Sequence, residues 1–570
     1  MLGLKQLLPN PYKLLVEKYV DPDTIIKYKD EDGNEHEVKF STAIEYGYEP
    51  PGKHKEFEHP AYKAAMKLKG DKEKKFDKSK EVNIFDKPQK EIPQVQTKSD
   101  NKKEKAAIKV LGDIVKGSKF EGKTFIAGGY VRDLQMGIPS KDIDITVELP
   151  NGGIEFANYI TKKLGVYKKD SNPVIYPTFG TAKFNLRGID YKGLDLSDVE
   201  IESVMTRQEK YEKGSRKPKV GHGTLKQDVD RRDFTVNSLL QDLTTGEIKD
   251  LTGMGKNDIR MGLIRTPLNP DIIFDEDPLR MLRAIRFATK YNWDLPMFML
   301  KSMRKNADKL DNISSERIRD ELNKMLVSKK PATAIRLLKA TKLLNHVMPE
   351  VGKLHGMMQG KHHKWDGFKH SLSVLSNVPP TVTKRLGALL HDIGKPATKQ
   401  VIDKEVRFFG HEKVGAEIAK DIMTRLKYPK KIIEPVTTAI RHHMRTKHGG
   451  DEATISDKSL RKLKRQLGDH LEDVLDVIHA DNISHADPSN LPNQIKNIRG
   501  RLKDLDKGQG GKIVPPITGK DVLDNFKLKS GPIVGKLLNK VQDAMDENPA
   551  LTKGQALSIV DRELKRMKND

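Results

Sequence analysis

Cysteine is absent from the 570 residues. Its absence excludes disulfides, iron–sulfur clusters and thiolate zinc sites, and is compatible with a reducing compartment. Long apolar runs are missing too: no uninterrupted stretch approaches the roughly 18 residues of a membrane span. The opening Met1-Leu-Gly-Leu-Lys-Gln-Leu-Leu-Pro is too short and too interrupted for a secretory signal. No internal repeat is visible. These absences set the expectation of a soluble cytoplasmic protein with no membrane partner.

What the chain does have is charge. Charged residues make up 32% and hydrophobic residues 36%, and the formal net charge is +24. The length allows roughly three or four domains at about 150 residues each, so size does not limit core formation. The basic excess suggests a polyanion as partner, most simply nucleic acid. A solvated basic surface would give the same count.

Residues 1–66 read as a small appendage. Thr24-Ile-Ile-Lys-Tyr-Lys and Glu35-His-Glu-Val-Lys-Phe alternate on either side of Asp32-Gly33, which suggests a hairpin. Residues 67–105 are rich in lysine and glutamate with scattered prolines, and read as a charged linker. Compact structure is expected from near Ala106. Ala106 to Val115 has helical spacing, Thr124-Phe-Ile-Ala is a short strand, Gly128-Gly129 a turn, and Tyr130 to Met136 a helix start. Ile143 to Val147 and Val199 to Thr206 are read as strands of one sheet. From Asp277 onward Leu279, Leu282, Ile285 and Phe287 recur at helix-like intervals. Helical patterns then dominate to the C-terminus, with a loop at Gly508-Gln-Gly-Gly-Lys-Ile-Val-Pro-Pro.

The chemistry starts at Lys141-Asp-Ile-Asp-Ile. Residues i and i+2 of a strand share a face, so Asp142 and Asp144 can share divalent metals. Magnesium suits such hard oxygen ligands and keeps substrate phosphates in its shell. An exposed polar strand is the plain alternative. A third carboxylate from a neighbouring strand would sharpen the case; Glu202 is the choice, with Glu200 in reserve. Strand, Gly128-Gly129 turn and helix form a phosphate-friendly geometry, because glycine lets backbone approach an anion closely. In Arg231-Arg-Asp-Phe-Thr-Val-Asn, Arg231 and Arg232 offer planar forks for phosphate. Asp233 and Asn237, four apart, share a face if helical and could meet a ribose. Asp277 and Arg280, three apart on an expected helix, can read the polar edge of a base; an intrahelical ion pair is the competing account.

A second constellation is built from histidines. Leu386-Gly-Ala-Leu-Leu-His-Asp ends an apolar helical stretch in His391-Asp392. His370 lies upstream, with His411, His442-His443 and Asp481 downstream. Imidazole and carboxylate suit a divalent or transition metal.

The segments Gly128-Gly-Tyr-Val-Arg-Asp, Lys141-Asp-Ile-Asp-Ile, Arg231 to Leu239, Asp250-Leu-Thr-Gly-Met-Gly, Glu276-Asp-Pro-Leu-Arg and Ser315-Glu-Arg-Ile-Arg-Asp-Glu-Leu together resemble the class II tRNA nucleotidyltransferase and bacterial poly(A) polymerase family of the polymerase-β superfamily. The histidine–aspartate series resembles the HD phosphohydrolase superfamily carried behind the head and neck of some members. The resemblance implies an α+β chain: a small mixed-sheet polymerase-β-like head, an all-α neck, an HD domain and a helical tail. The implied boundaries are 106–265 for the head, 266–345 for the neck, 346–490 for the HD domain and 491–570 for the tail. It implies Asp142, Asp144 and Glu202 as catalytic residues, the first two binding Mg2+. It places Gly128, Gly129, Arg132, Arg231, Arg232, Asp233, Asn237, Asp277, Arg280, Arg283 and Arg286 around the nucleotide. At the HD site it implies His370, His391, Asp392 and Asp481 as metal ligands, with His411 and His443 permitting a second metal and His442 the alternative to His443. Ni2+, Mn2+ or Mg2+ would serve there. The implied partners are tRNA, CTP and ATP. Poly(A) addition, partial C or A addition, an RNA-repair hydrolase and a non-catalytic RNA-binding protein are the other readings.

Overall fold

The computed structural model describes residues 25–29, 35–39, 101–167, 172–210, 219–358, 365–446, 455–485, 491–507, 515–548 and 550–569. Asp32-Gly33, segment 67–100 of the expected linker and Gly508 to Val514 lie outside them. The chain divides into two compact units, Met1–Glu321 with Arg336–His346, and Leu322–Ile335 with Val347–Asp570. Among the described residues no helix is long and apolar enough to cross a membrane.

Near the N-terminus, Ile25–Lys29 and Glu35–Lys39 pair antiparallel, as the alternation suggested. Helix α1 (Lys102–Val115) begins four residues before Ala106. The first unit is organised by a seven-stranded sheet. Its strands are β1 (Thr124–Ala127), β2 (Ile143–Val147), β3 (Val174–Tyr176), β4 (Thr181–Asn185), β5 (Glu200–Met205), β6 (Leu240–Asp242) and β7 (Ile248–Lys249), in spatial order β7-β6-β1-β2-β5-β4-β3. Only β2 and β5 run parallel; every other adjacent pair is antiparallel. The sheet is therefore mixed.

Period-two alternation decides which side chains reach water. Ile143, Ile145 and Val147 of β2 are buried, as are Ile201, Ser203 and Met205 of β5. The alternate positions Asp144 and Glu202 stay accessible. After β1 comes the short helix α2 (Gly129–Gln135). Helix α3 (Gly152–Lys163) covers the sheet through Phe156, Ala157 and Ile160. It comes so close that a Cβ on Gly153 would meet Ser203 O at 2.6 Å, and Ser203 Oγ donates to Gly153 O at 2.7 Å. Two further elements frame the site: α4 (Leu225–Asp230) and α5 (Leu279–Tyr291). The apolar positions Leu279, Leu282, Ile285 and Phe287 are all buried. Helix α6 (Ser315–Leu326) follows.

Among its described residues the second unit is helical apart from a two-stranded ribbon, Gln400–Ile402 with Glu405–Arg407. Its site is framed by α7 (Gly367–Asn377), α8 (Val382–Leu390), α9 (His411–Arg425), α10 (Lys430–His442) and α11 (Leu471–Asn482). A separate apolar cluster, including Val522, Leu537, Val541 and Val560, holds the C-terminal helices together.

Candidate active sites

In the first unit the parallel register sets Asp144 directly opposite Glu202. Asp142 immediately precedes β2 and is accessible, as Asp144 is, while Ile143 between them is buried. Glu200 is drawn to Lys183 (2.7 Å), which stands 3.8 Å from Glu202. Partial desolvation pushes the Asp144 carboxyl up from its usual range; Glu202 and Asp142 push the same way, against Arg232 and Lys183. Like charges face one another here without a full counter-charge, which is the electrostatic condition that favours a cation. The donor atoms of Asp142, Asp144 and Glu202 are not among the described groups of three gathered within 4.8 Å.

Beside these carboxylates lies a connected network. Arg232 Nη2 reaches Thr146 Oγ1 (3.2 Å) and Asp228 Oδ2 (3.0 Å). Thr146 is two residues beyond Asp144, so this guanidinium flanks the acidic face. Arg231 donates to Asp228 Oδ1 at 2.7 Å. Asp233 accepts from Arg283 Nε at 2.9 Å and from Asn237 Nδ2 at 2.9 Å. Asn237 Oδ1 in turn accepts from Arg132 Nη1 at 2.6 Å, and Arg132 bonds Asp133 and lies over Phe287 and Tyr291. Burial opposes ionisation of Asp233, yet Arg283 and Asn237 hold its carboxyl below the usual range. Arg286 bonds Glu321 and covers the Phe287 ring at 4.1 Å. Gly128 has φ 69°, and a Cβ there would sit 3.3 Å from Arg232 Nη1. Glycine therefore suits the turn conformationally and sterically.

Two local expectations need correction. Asp233 and Asn237 do not share an α-helix. Phe234 between them is extended and fully buried, and Thr235–Asn237 is a single 3-10 turn. The two side chains nevertheless hydrogen-bond. Asp277 is also outside a helix: its backbone is extended, and α5 starts at Leu279. Pro278 disfavours helical geometry in the residue before it. Asp277 instead caps, accepting from Leu279 N (3.2 Å), and bonds Arg317 Nη2 (3.0 Å). Arg280 is buried, its fork engaged by Glu276, Ile273 O and Arg231 O.

In the second unit six residues converge in two clusters, His370/His391/Asp481 and Asp392/His411/His443, all buried. Asp392 connects them. Its Oδ2 lies 3.2 Å from His391 Nε2, and its Oδ1 lies 3.3 Å from His411 Nε2 and 3.8 Å from His443 Nε2. His370 Nε2 is 3.0 Å from Asp481 Oδ1. Nδ1 of His391, His411 and His443 each contacts a backbone carbonyl at 2.7–2.8 Å, which aims the three Nε2 atoms inward. Inward-facing imidazoles and carboxylates, His391 Nε2 between Asp392 and Asp481 among them, fit a divalent metal. Burial opposes ionisation of Asp392, but His391 and Lys395 hold it well below the carboxylate range. His443 joins the cluster. His442 does not; burial, with Arg445 and Arg441, lowers its pKa to about 4.

Sequence profiles match three stretches: the Poly A polymerase head domain at 124–265, a probable RNA and SrmB-binding site of polymerase A at 299–354, and the HD domain at 381–484. The Multifunctional CCA protein of Neisseria gonorrhoeae is 30% identical over 333 residues, covering 56% of this chain and 74% of that protein. The chain belongs to the class II tRNA nucleotidyltransferase and poly(A) polymerase family. The CC-adding tRNA nucleotidyltransferase of Thermus thermophilus is 29% identical over 76% of this chain and 92% of its own length. Two solved structures share the family fold. The Bacillus stearothermophilus CCA-adding enzyme in complex with CTP has a TM-score of 0.56 at 22% identity, covering 83% of this chain and all of that one. The Thermotoga maritima CCA-adding enzyme complexed with tRNA has a TM-score of 0.52 at 20% identity, covering 82% and 97%. His370 lies outside the matched HD stretch, yet the fold returns it to the cluster.

Several residues escaped the sequence reading. Asp228 is fully buried and anchors both Arg231 and Arg232; its spacing of three and four from them was a usable signal. Lys395 bonds Asp392 Oδ2 at 2.6 Å, and its place three residues after the aspartate also signals a pair. His485, 3.5 Å from Asp481, follows it by four residues, again a usable spacing; Lys183 carries no local signal.

Proposed function

We propose that the chain adds or repairs the 3′-terminal CCA of tRNA in the cytoplasm, using CTP and ATP and releasing pyrophosphate. The observation that carries this reading is the acidic face made by Asp142, Asp144 and Glu202, flanked by Arg232, within a chain of this family. Asp142 and Asp144 would hold Mg2+, with Glu202 the third acidic group beside them. Bound there, it would favour ionisation of the attacking hydroxyl and neutralise the departing pyrophosphate. The 3′-oxygen of the RNA forms the new bond to the α-phosphorus, the bond from that phosphorus to the bridging oxygen breaks, and the hydroxyl proton leaves to solvent.

The protein contributes positioning and fixed charge. Gly128 and Gly129 allow backbone to approach the triphosphate. Arg231 and Arg232 are held on Asp228 and present positive charge to it. Asp233 and Asn237, fixed by Arg283 and Arg132, stand for the ribose. Asp277 and Arg280 would read the base, exchanging their present partners Arg317 and Glu276 for its polar edge; Arg286 braces α5 behind them. The test supplies tRNAs ending before CCA, after C and after CC, with CTP, ATP or both, and sequences the products. Three ordered additions followed by a stop are expected. Long adenosine tails would select poly(A) synthesis, and a halt after CC or acceptance of CC-ended tRNA alone would select partial addition.

The buried clusters support a second activity. His370, His391, Asp392 and Asp481 would hold a divalent ion, with His411 and His443 admitting another that shares Asp392. Ni2+, Mn2+ or Mg2+ there would supply an activated water for hydrolysis of phosphate esters at damaged RNA 3′ ends. Turnover of a 2′,3′-cyclic nucleotide with one of these metals tests this activity; metal-loaded protein without turnover leaves a helical platform for RNA.

A further inference from the structure

The ribbon Gln400–Ile402/Glu405–Arg407 has no part in the chemistry above. Its turn residues Asp403 and Lys404 both have positive φ, 53° and 65°. Such two-residue turns match strand twist and make a defined hairpin. Val401 is 67% exposed and Phe409, just past the ribbon, 60%; Ile402 is exposed too. Large apolar side chains grouped on one short projection mark an interaction surface. Arg407 Cζ lies 6.0 Å from the Phe409 ring centroid, so the aromatic face carries a cation beside it.

The projection is tied to the HD clusters. Phe408 O contacts His411 Nδ1 at 2.8 Å. Lys395, bonded to Asp392, stands 5.5 Å from the Phe408 ring. Phe409 is thus fixed two residues from a candidate metal ligand. A groove lined by Lys413, Arg441, His442, Met444 and Arg445, with Glu412, opens on the same helices: Lys413 follows His411 by two residues, and His442 adjoins His443. An aromatic face beside arginine, with a mainly cationic groove on the helices that carry His411 and His443, suits unpaired nucleotides. Bases stack on such rings while phosphates follow the positive charge.

We propose that the ribbon, Phe409 and this groove bind the unpaired 3′ end of an RNA and present its terminal phosphate to the HD clusters. Phe409 is the stacking platform, and Lys413, Arg441 and Arg445 hold the backbone. This inference rests on the hydrolase reading of the HD site for its purpose, but its binding claim is separable.

Full-length protein loaded with manganese is given an oligoribonucleotide ending in a 2′,3′-cyclic phosphate and, separately, bis(p-nitrophenyl) phosphate. Phe409→Ala is expected to lower the ratio of kcat/KM for RNA over the small diester about ten-fold, the scale of one lost base stack. Phe409→Trp is expected to restore it. An unchanged ratio overturns the proposal. Absence of turnover in the unaltered protein would remove the hydrolase reading alone, so binding is read independently. The same oligonucleotide with a terminal 4-thiouridine is expected to photo-crosslink within residues 399–413 or 441–445, with yield falling several-fold in Phe409→Ala. Crosslinks confined to other segments, or an unaffected yield, overturn the proposal even if the protein hydrolyses both substrates.

Discussion

Asp144 in the head and Asp392 in the helical unit are both carboxylates among other candidate ligands, and their surroundings act on them in opposite directions. Asp144 lies on the open face of the sheet with its carboxyl partly desolvated, and it faces Glu202 across a parallel register, so desolvation and like charge raise its pKa. Asp392 is buried among four imidazoles and Lys395; His391, Lys395 and His411 overcome burial and lower its pKa. The contrast follows from the elements. Adjacent strands put acidic side chains on an open face, where substrate can supply missing counter-charge. Helix ends bring histidines from distant positions around one carboxylate, so the counter-charge is built in. An open acidic face suits a reactant that arrives with its own phosphates; a closed cluster suits a resident ion.

The largest expected break in this comparison is chemical. Asp144→Ala should lower nucleotide incorporation by at least about a thousand-fold, since several kcal/mol of transition-state stabilisation depend on the metal site. tRNA binding in gel-shift assays should persist, as should any HD turnover. Normal incorporation would defeat the assignment.

Stability should respond in the reverse order. Asp392→Ala leaves Lys395 buried without its carboxylate, and removing one partner of a buried pair costs about 3–5 kcal/mol. Hydrogen exchange in α7, α8 and α11 should accelerate accordingly. Asp144→Asn, which removes an exposed and repelled charge, should change head stability by no more than about 0.5 kcal/mol, on the stabilising side. Equal losses in the two variants would remove the electrostatic distinction.

Asp233 offers a sharper test, because it lies in the head yet resembles Asp392. Its pKa is lowered in the folded state. Its contribution is therefore present above the unfolded carboxylate range, near pH 4, and is lost as pH falls through the folded value. Asp233→Asn should cost about 2 kcal/mol at pH 7, the scale of a charge-assisted hydrogen bond. That cost should shrink toward zero in strong acid. Urea titrations across pH, read at a head-specific probe, check the slope; a pH-independent cost would refute the ionic role.

Much of this was legible because strands and turns are locally encoded. Thr124–Ala127 and Ile143–Val147 match their expected bounds, set by apolar runs ending at glycine or charge. Glu202 was chosen over Glu200 from the sequence; that it stands directly opposite Asp144 is a matter of register, which only the folded sheet supplies. β3 was missed because Val174-Ile175-Tyr176 is apolar without alternation and wholly exposed. The ribbon at 400–407 was missed because Asp403-Lys404 lacks the Asn-Gly or Asp-Gly signal of such turns. The helical placement of Asp277 ignored a signal that was present, Pro278. The histidines and aspartates of the HD clusters were legible as types and order, but the position of Asp392 between the two clusters needed five elements to meet.

Arg280 carries the smallest expected loss. In the protein alone its guanidinium bonds Glu276 Oε2 at 2.9 Å and two backbone carbonyls. Reading a base requires giving up some of these bonds, so net discrimination should be modest. A bidentate contact to a base edge is worth about 1–3 kcal/mol, and the exchange offsets part of it. Arg280→Ala should therefore blur the CTP/ATP preference by about ten-fold in single-nucleotide incorporation, while triphosphate binding, the role proposed for Arg231 and Arg232, changes less. The variant also removes a tie from α5 to Arg231 O, which would weaken both nucleotides equally. Selectivity, the ratio of kcat/KM for CTP over ATP, separates the two roles: a base reader shifts the ratio, and a purely structural arginine lowers both terms and leaves it fixed.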